Sequence, residues 1–134
     1  MKWQPLTFLR LLLLLTVALA GCGATQQPAN ADTGGLVIEL TTKPDPPVAG
    51  QVELIVTLMD SSQQGVEGAA VNLLASHSSM ANMLTQKQAT SIGNGQYSTI
   101  FDFSQGSQGD WRVTVEVRNA QPKTLRKNFV ITIP

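Results

Sequence analysis

The feature that most limits what this chain can fold into is a period of two. Trp111, Val113, Val115 and Val117 alternate with Arg112, Thr114, Glu116 and Arg118. In an extended backbone that spacing puts every apolar side chain on one face and every polar one on the other. Val52, Leu54, Val56 and Leu58 repeat the pattern against Glu53 and Thr57, and Tyr97, Thr99, Phe101 and Phe103 repeat it against Ser98 and Asp102. Leu125, Phe129, Ile131 and Ile133 form the last set, with shorter candidate strands at 36–41, 69–76 and 84–91. No stretch after Cys22 keeps a helical period for a useful length.

Turn chemistry separates these segments. Pro44-Asp45-Pro46-Pro47 removes too many N–H donors to lie inside a strand. Asp60-Ser61-Ser62-Gln63-Gln64-Gly65 is a polar loop, Gly93-Asn94-Gly95 a tight turn calling for positive φ, and 105–109 another loop. Ala120-Gln121-Pro122-Lys123 joins the last two strands. Each strand has one apolar face to cover, and two layers facing each other cover them all. The expectation is an all-β, immunoglobulin-like antiparallel two-sheet sandwich of about seven strands. Trp111 is expected as its central aromatic and Tyr97 near an edge with its hydroxyl in water.

The amino terminus follows a different logic. Lys2 and Arg10 precede a run from Leu11 to Ala20 that is apolar except for Thr16 and stops at Gly21-Cys22. A membrane-spanning helix needs about 20 apolar residues, about twice this run. The pattern is that of a secretory leader. Leu19-Ala20-Gly21-Cys22 resembles a bacterial lipobox, which predicts that residues 1–21 are removed as a lipoprotein signal peptide and that the Cys22 thiol carries the lipid. Residues 22–35 are then a lipid-modified cysteine and a small, polar tether, and 36–134 the folded domain. The expected location is the bacterial cell envelope, membrane-anchored through the N-terminal lipid. Gly23 follows Cys22 where an acidic residue would signal inner-membrane retention, so the outer membrane is favoured where the cell has one.

Charge and cysteine content exclude several functions. Lys+Arg 9 balance Asp+Glu 9, so the clustered positive charge needed for nucleic acid is missing. With Lys2 and Arg10 removed, 7 basic residues face 9 acidic ones, and no polybasic patch is left for anionic lipid. The sole cysteine is Cys22, which excludes a disulfide within the chain, a zinc-finger spacing and a thiol active site in the domain.

Few residues remain that could carry chemistry. His77 is the one histidine, and its neighbours Ser78 and Ser79 are hydroxyls without an accompanying oxyanion-type glycine motif, so no enzyme is expected. The segment His77-Ser78-Ser79-Met80-Ala81-Asn82-Met83 is different. It sets an imidazole and two thioethers at spacings of three in a short loop. Soft thioether sulfur selects Cu(I) over hard cations, and imidazole is a competent partner. His77, Met80 and Met83 are therefore the candidate metal ligands, with copper as the candidate cofactor. Met filling gaps under a loop, or forming a contact surface for another protein, is the alternative.

Several segments occur in a characteristic order: Pro46-Pro47-Val48-Ala49-Gly50-Gln51-Val52-Glu53-Leu54, Val56-Thr57-Leu58-Met59-Asp60, Gly65-Val66-Glu67-Gly68-Ala69-Ala70-Val71, the Met80/Met83 loop, Gly93-Asn94-Gly95-Gln96-Tyr97 and Gly109-Asp110-Trp111-Arg112-Val113-Thr114-Val115. Together they resemble the YtkA-like and FixH-related bacterial lipoprotein domains over nearly all of 36–120. That resemblance implies an immunoglobulin-like sandwich at the cell envelope, associated with copper handling or cytochrome oxidase assembly. The family loop often carries Met-Pro-x-Met; Met80 and Met83 align with it, without the proline and with only His77 before them. The expected function is a non-catalytic, lipid-anchored envelope binding module for Cu(I). The rival is a structural or protein–protein interaction sandwich without metal, docking another envelope protein.

Overall fold

The computed structural model describes residues 34–104, 107–120 and 122–134. The expected leader, Cys22 and the expected tether up to Thr33 lie outside the described residues. Seven strands follow one another: β1 (Val37–Lys43), β2 (Gly50–Met59), β3 (Ala70–His77), β4 (Leu84–Gly93), β5 (Gln96–Phe103), β6 (Gly109–Arg118) and β7 (Leu125–Ile133). The spatial order is β1-β2-β5-β4-β3-β6-β7, every neighbouring pair antiparallel. The expected all-β antiparallel sandwich is thus the observed fold.

The alternating sets are what make it two-layered. Val52, Leu54, Val56 and Leu58 of β2, Val71, Leu73 and Ala75 of β3, and Val113, Val115 and Val117 of β6 are all fully buried. Phe101 and Phe103 stack at 6.0 Å and join them. Among the described residues no buried side-chain nitrogen or oxygen lacks a hydrogen-bond partner, as a core without polar strain requires.

One strand serves both sheets. Leu84–Ala89 of β4 pairs with β3, whereas Thr90–Gly93 pairs with β5, with a register shift between Ser91 and Gly93. Its burial matches that crossing, because Ala89 alone of its residues is buried. A strand turning the corner between two layers has no continuous inner face, and a bulge supplies the bend.

This arrangement leaves two seams, and a lysine closes each. Lys87 lies opposite Leu73 on the inward side of β4, and its Nζ donates to the Ile100 carbonyl of β5 at 2.6 Å, 5.6 Å from the Phe101 ring centroid. Lys127, on the inward side of the outermost strand β7, donates to the Ile38 carbonyl of β1 at 2.7 Å, 5.2 Å from the Phe129 ring. In both cases an inward cation of one sheet caps a carbonyl of the other while resting on an aromatic face. Inward-pointing charge at an edge discourages another strand from adding there.

Strand direction sorts the loops into two ends. Gly34 to Leu36, the 60–69 loop, the 94–95 turn and residues 119–120 and 122–124 lie at the end where the described chain begins, called the tether end; the 44–49 and 78–83 loops and residues 104 and 107–108 lie at the far end. At the tether end Asp60 Oδ1 accepts the N–H groups of Ser62 and Gln64 at 2.8 and 3.0 Å. Leu58 N–H then donates to Gly95 O at 2.8 Å and Val66 N–H to Leu58 O at 2.9 Å, pressing two backbones together. A Cβ on Gly95, at φ +71°, would stand 2.5 Å from Leu58 O.

Tyr97 departs from the sequence expectation. It is only 1% exposed, and its hydroxyl is not in water: it donates to Val66 O at 2.9 Å and accepts the Ala69 N–H at 3.1 Å. The 60–69 loop folds over the ring and uses both hydrogen-bonding directions of the phenol. Trp111 is buried as expected, but at the far end of the sandwich and not at its centre, because it follows so closely on the Gly109 start of β6.

Two outcomes are expected. Gly95→Ala should lower stability by about 2–3 kcal/mol, from positive φ combined with a backbone clash, as measured by urea unfolding. Replacing both seam lysines (Lys87→Val with Lys127→Val) should leave the circular dichroism of a β protein but shift sedimentation toward larger, self-associated species than the parent.

Candidate functional site

His77 is the last residue of β3 and not, as the sequence suggested, part of the loop that follows. Alternation therefore turns its ring inward with Val71, Leu73 and Ala75, leaving it 7% exposed. It meets Trp111 edge to face at 5.1 Å, and Trp111 meets Phe103 in the same way at 5.0 Å. The Trp111 indole N–H donates to Ser107 O at 2.7 Å, tying the loop before β6 to this aromatic group.

Both ring nitrogens of His77 have assigned roles. Nε2 lies 2.9 Å from the Gln108 carbonyl, which can only accept, so Nε2 carries the proton. Nδ1 accepts the Ser79 N–H at 3.2 Å, so it carries the lone pair. Ser79 Oγ stands at the same 3.2 Å from Nδ1. That contact does not make a nucleophile–base pair, because hydroxyl and backbone N–H of one residue share one acceptor. It is a local turn closing the end of β3.

The 78–83 loop folds back on this ring. Met83 N–H donates to Met80 O and His77 N–H to Met83 O, each at 3.0 Å, and Ser78 N–H donates to Asp110 O at 2.8 Å. Met80 is 37% exposed, whereas Met83 is half-buried and packs against the core. The three sequence-selected residues thus belong to one loop, joined through backbone hydrogen bonds, with one donor in the interior, one at its margin and one at the surface. Among the described residues there is no group of three His, Cys, Asp or Glu side chains able to hold a metal; any metal here would depend on the thioethers. Cys22, the expected lipidation site, lies outside the described residues.

Sequence reasoning missed the partners that set the imidazole: the carbonyl of Gln108, the amide of Ser79 and the edge of Trp111. Only Gly109 carried a signal. It sits at φ +117°, and a Cβ there would come 3.2 Å from His77 Nε2, so the glycine of Gly109-Asp110-Trp111 leaves room for the ring. Two open grooves follow the β1–β7 seam and are separate from this loop. One is lined by Leu36, Asp60 and Leu125 among others, the second by Leu40, Pro46 and Ile131 among others.

The burial difference predicts different stability effects. His77→Ala should cost about 2–4 kcal/mol through lost packing on Trp111, while Met80→Ala should stay within about 0.5 kcal/mol of the parent; urea titrations read both.

Comparison with known proteins places this geometry. An endo-beta-1,4-mannanase from Thermotoga petrophila is similar in structure over 73% of this chain and 20% of its own, at 14% identity and a TM-score of 0.49. This chain therefore spans a small part of that enzyme's length, and at that level the likeness carries nothing about chemistry. No curated protein sequence matches significantly. The YtkA-like family profile matches residues 30–116. That stretch runs from residue 30 into β6 and covers well over half of the chain, so the protein belongs to the YtkA-like family.

Proposed function

We propose that this chain is a non-catalytic, lipid-anchored binding module of the bacterial cell envelope that holds Cu(I) through Nδ1 of His77 and the thioethers of Met80 and Met83. The observation that carries the reading is the fixed tautomer of His77. Its Nε2–H is committed to Gln108 O, and the remaining lone pair on Nδ1 is turned toward the loop that bears both sulfurs. A backbone carbonyl holding the outer N–H of a histidine is the arrangement that orients imidazole ligands in metal sites. The contacts to Nδ1, at 3.2 Å from Ser79, are long and local, so a metal would replace weak partners. Two thioethers and one imidazole form a low-charge, soft set suited to two- or three-coordinate Cu(I).

The anchoring half of the proposal rests on Leu19-Ala20-Gly21-Cys22 and the short apolar run before it. A second reading, an interaction sandwich without metal, is favoured by Leu84 and Ile92 on β4 and Ile100 on β5, which are 60%, 53% and 51% exposed. A partner docking on that surface is recoverable by pull-down from detergent-solubilised membranes, and Leu84→Lys with Ile92→Lys should release it.

Competitive Cu(I) titration of the soluble domain, with Cys22 replaced, tests the metal reading. Met80→Ala with Met83→Ala should weaken binding by at least about tenfold, equivalent to 1.4 kcal/mol, with the fold intact by circular dichroism. Unchanged affinity in that variant removes the metal. In cells, Cys22→Ala should move the protein from the membrane fraction to the soluble exported fraction; retention in the membrane removes the lipid anchor.

A further inference from the structure

We propose that Met80 is a sulfoxidation site, and that its oxidation by a peroxide takes the His77–Met83 loop out of action as a soft-donor set. This rests on the Cu(I) reading above and adds a chemical control of the same site.

Accessibility separates the methionines. Of the three among the described residues, Met59 and Met83 are half-buried, and Met80 alone is exposed, at 37%. Met59 ends β2, opposite Val37 of β1, and Met83 packs against the core. Met80 instead stands in a run from Ser78 to Asn82 in which every residue is exposed and none is charged. A small neutral oxidant therefore reaches its sulfur without any opening of the sandwich.

The backbone around Met80 is held independently of its side chain. Met80 O accepts the Met83 N–H, and Met83 O accepts the His77 N–H, each at 3.0 Å. A polar group at the Met80 sulfur faces water and leaves those bonds in place. At Met83 the same group would be pressed against apolar side chains. Oxidation at Met80 is thus separable from unfolding.

The chemistry balances within the pair of reactants. The thioether sulfur attacks one peroxide oxygen, the O–O bond breaks and a sulfur–oxygen bond forms. The proton on the transferred oxygen passes to the departing hydroxide, which leaves as water. Sulfur is oxidised by two electrons and the peroxide is reduced by two, giving methionine sulfoxide. The sulfoxide offers a metal a hard oxygen in place of a soft sulfur, so Cu(I) keeps only His77 Nδ1 and Met83. No substitute stands nearby: His77 is the one histidine, and Met59 lies at the tether end. The exposure that admits the oxidant also admits a methionine sulfoxide reductase, which restores the thioether.

The chain from residue 22 onward, with Cys22→Ser, is treated metal-free with hydrogen peroxide. Catalase then removes the oxidant, and peptide mass spectrometry reads the order of oxidation. Met80 should gain an oxygen atom several-fold faster than Met83; equal rates overturn the proposal. Protein oxidised at Met80 alone should keep its circular dichroism and urea midpoint. In anaerobic competition it should bind Cu(I) at least about tenfold more weakly, equivalent to 1.4 kcal/mol, and reductase treatment should restore the affinity. Unchanged affinity overturns the proposal and leaves the Cu(I) reading standing. In Met80→Leu, peroxide should cause no further loss of affinity; a further tenfold fall overturns the assignment to Met80. A parent that takes up no Cu(I) before oxidation overturns the Cu(I) reading and the switch built on it, while the oxidation order is still decided by mass alone.

Discussion

The crossing of β4 from one sheet to the other is the constraint on which the rest of the architecture depends. Six strands could bury their apolar faces as two separate layers, but only the β2–β3 and β5–β6 connections would then join the layers, with no strand shared between them. β4 supplies the link through its backbone, giving six residues to β3 and its end to β5. That is affordable only for a strand with no inner face of its own, and β4 is the strand whose alternation is weakest: threonine, glutamine, lysine and alanine fill its middle. Where the crossing leaves the layers splayed, Lys87 spans the gap, and Lys127 does the same at the opposite seam. The two lysines, each donating to a carbonyl of the opposite layer, thus take over at the edges what hydrogen-bonded strands do elsewhere.

Once the layers are fixed, antiparallel order divides the loops between two ends with different jobs. The tether end is a backbone construction. Gly65 and Gly95 approach so closely that neither tolerates a Cβ, Glu67 accepts the Gly95 N–H at 2.7 Å, and the Tyr97 hydroxyl holds the loop from beneath. The far end is built from rings: Phe103, Trp111 and His77 in successive edge contacts, with Ser107 and Gln108 carbonyls taking their N–H groups. The Gly109-Asp110-Trp111 segment acquires a physical meaning here. Its glycine clears the imidazole, its aspartate takes the Thr132 hydroxyl at 2.6 Å, and its tryptophan seals the core.

His77 joins that structural end to the proposed chemistry. The bonds that make it a well-packed residue of β3 also define which nitrogen faces the methionine loop. Structural and ligand roles are therefore compatible up to the point where Nδ1 must exchange Ser79 for a metal, an exchange confined to a few residues of one turn.

The sequence by itself determined the strands, their inward faces and most of the turns, because alternation and turn residues act locally and a β-strand's side chains must fall on alternate faces. It also singled out His77, Met80 and Met83 as the soft donors of the chain, since donor chemistry is a property of residue type. Only the tertiary structure decided the rest. It put His77 inside the last position of β3, buried the Tyr97 hydroxyl beneath the 60–69 loop, moved Trp111 from the centre to one end, and gave Lys87 and Lys127 their inward roles. Each of these depends on which distant backbone carbonyl or amide arrives beside the side chain. That is settled by how the two sheets close on one another, a contact between residues far apart in the chain that no local pattern encodes.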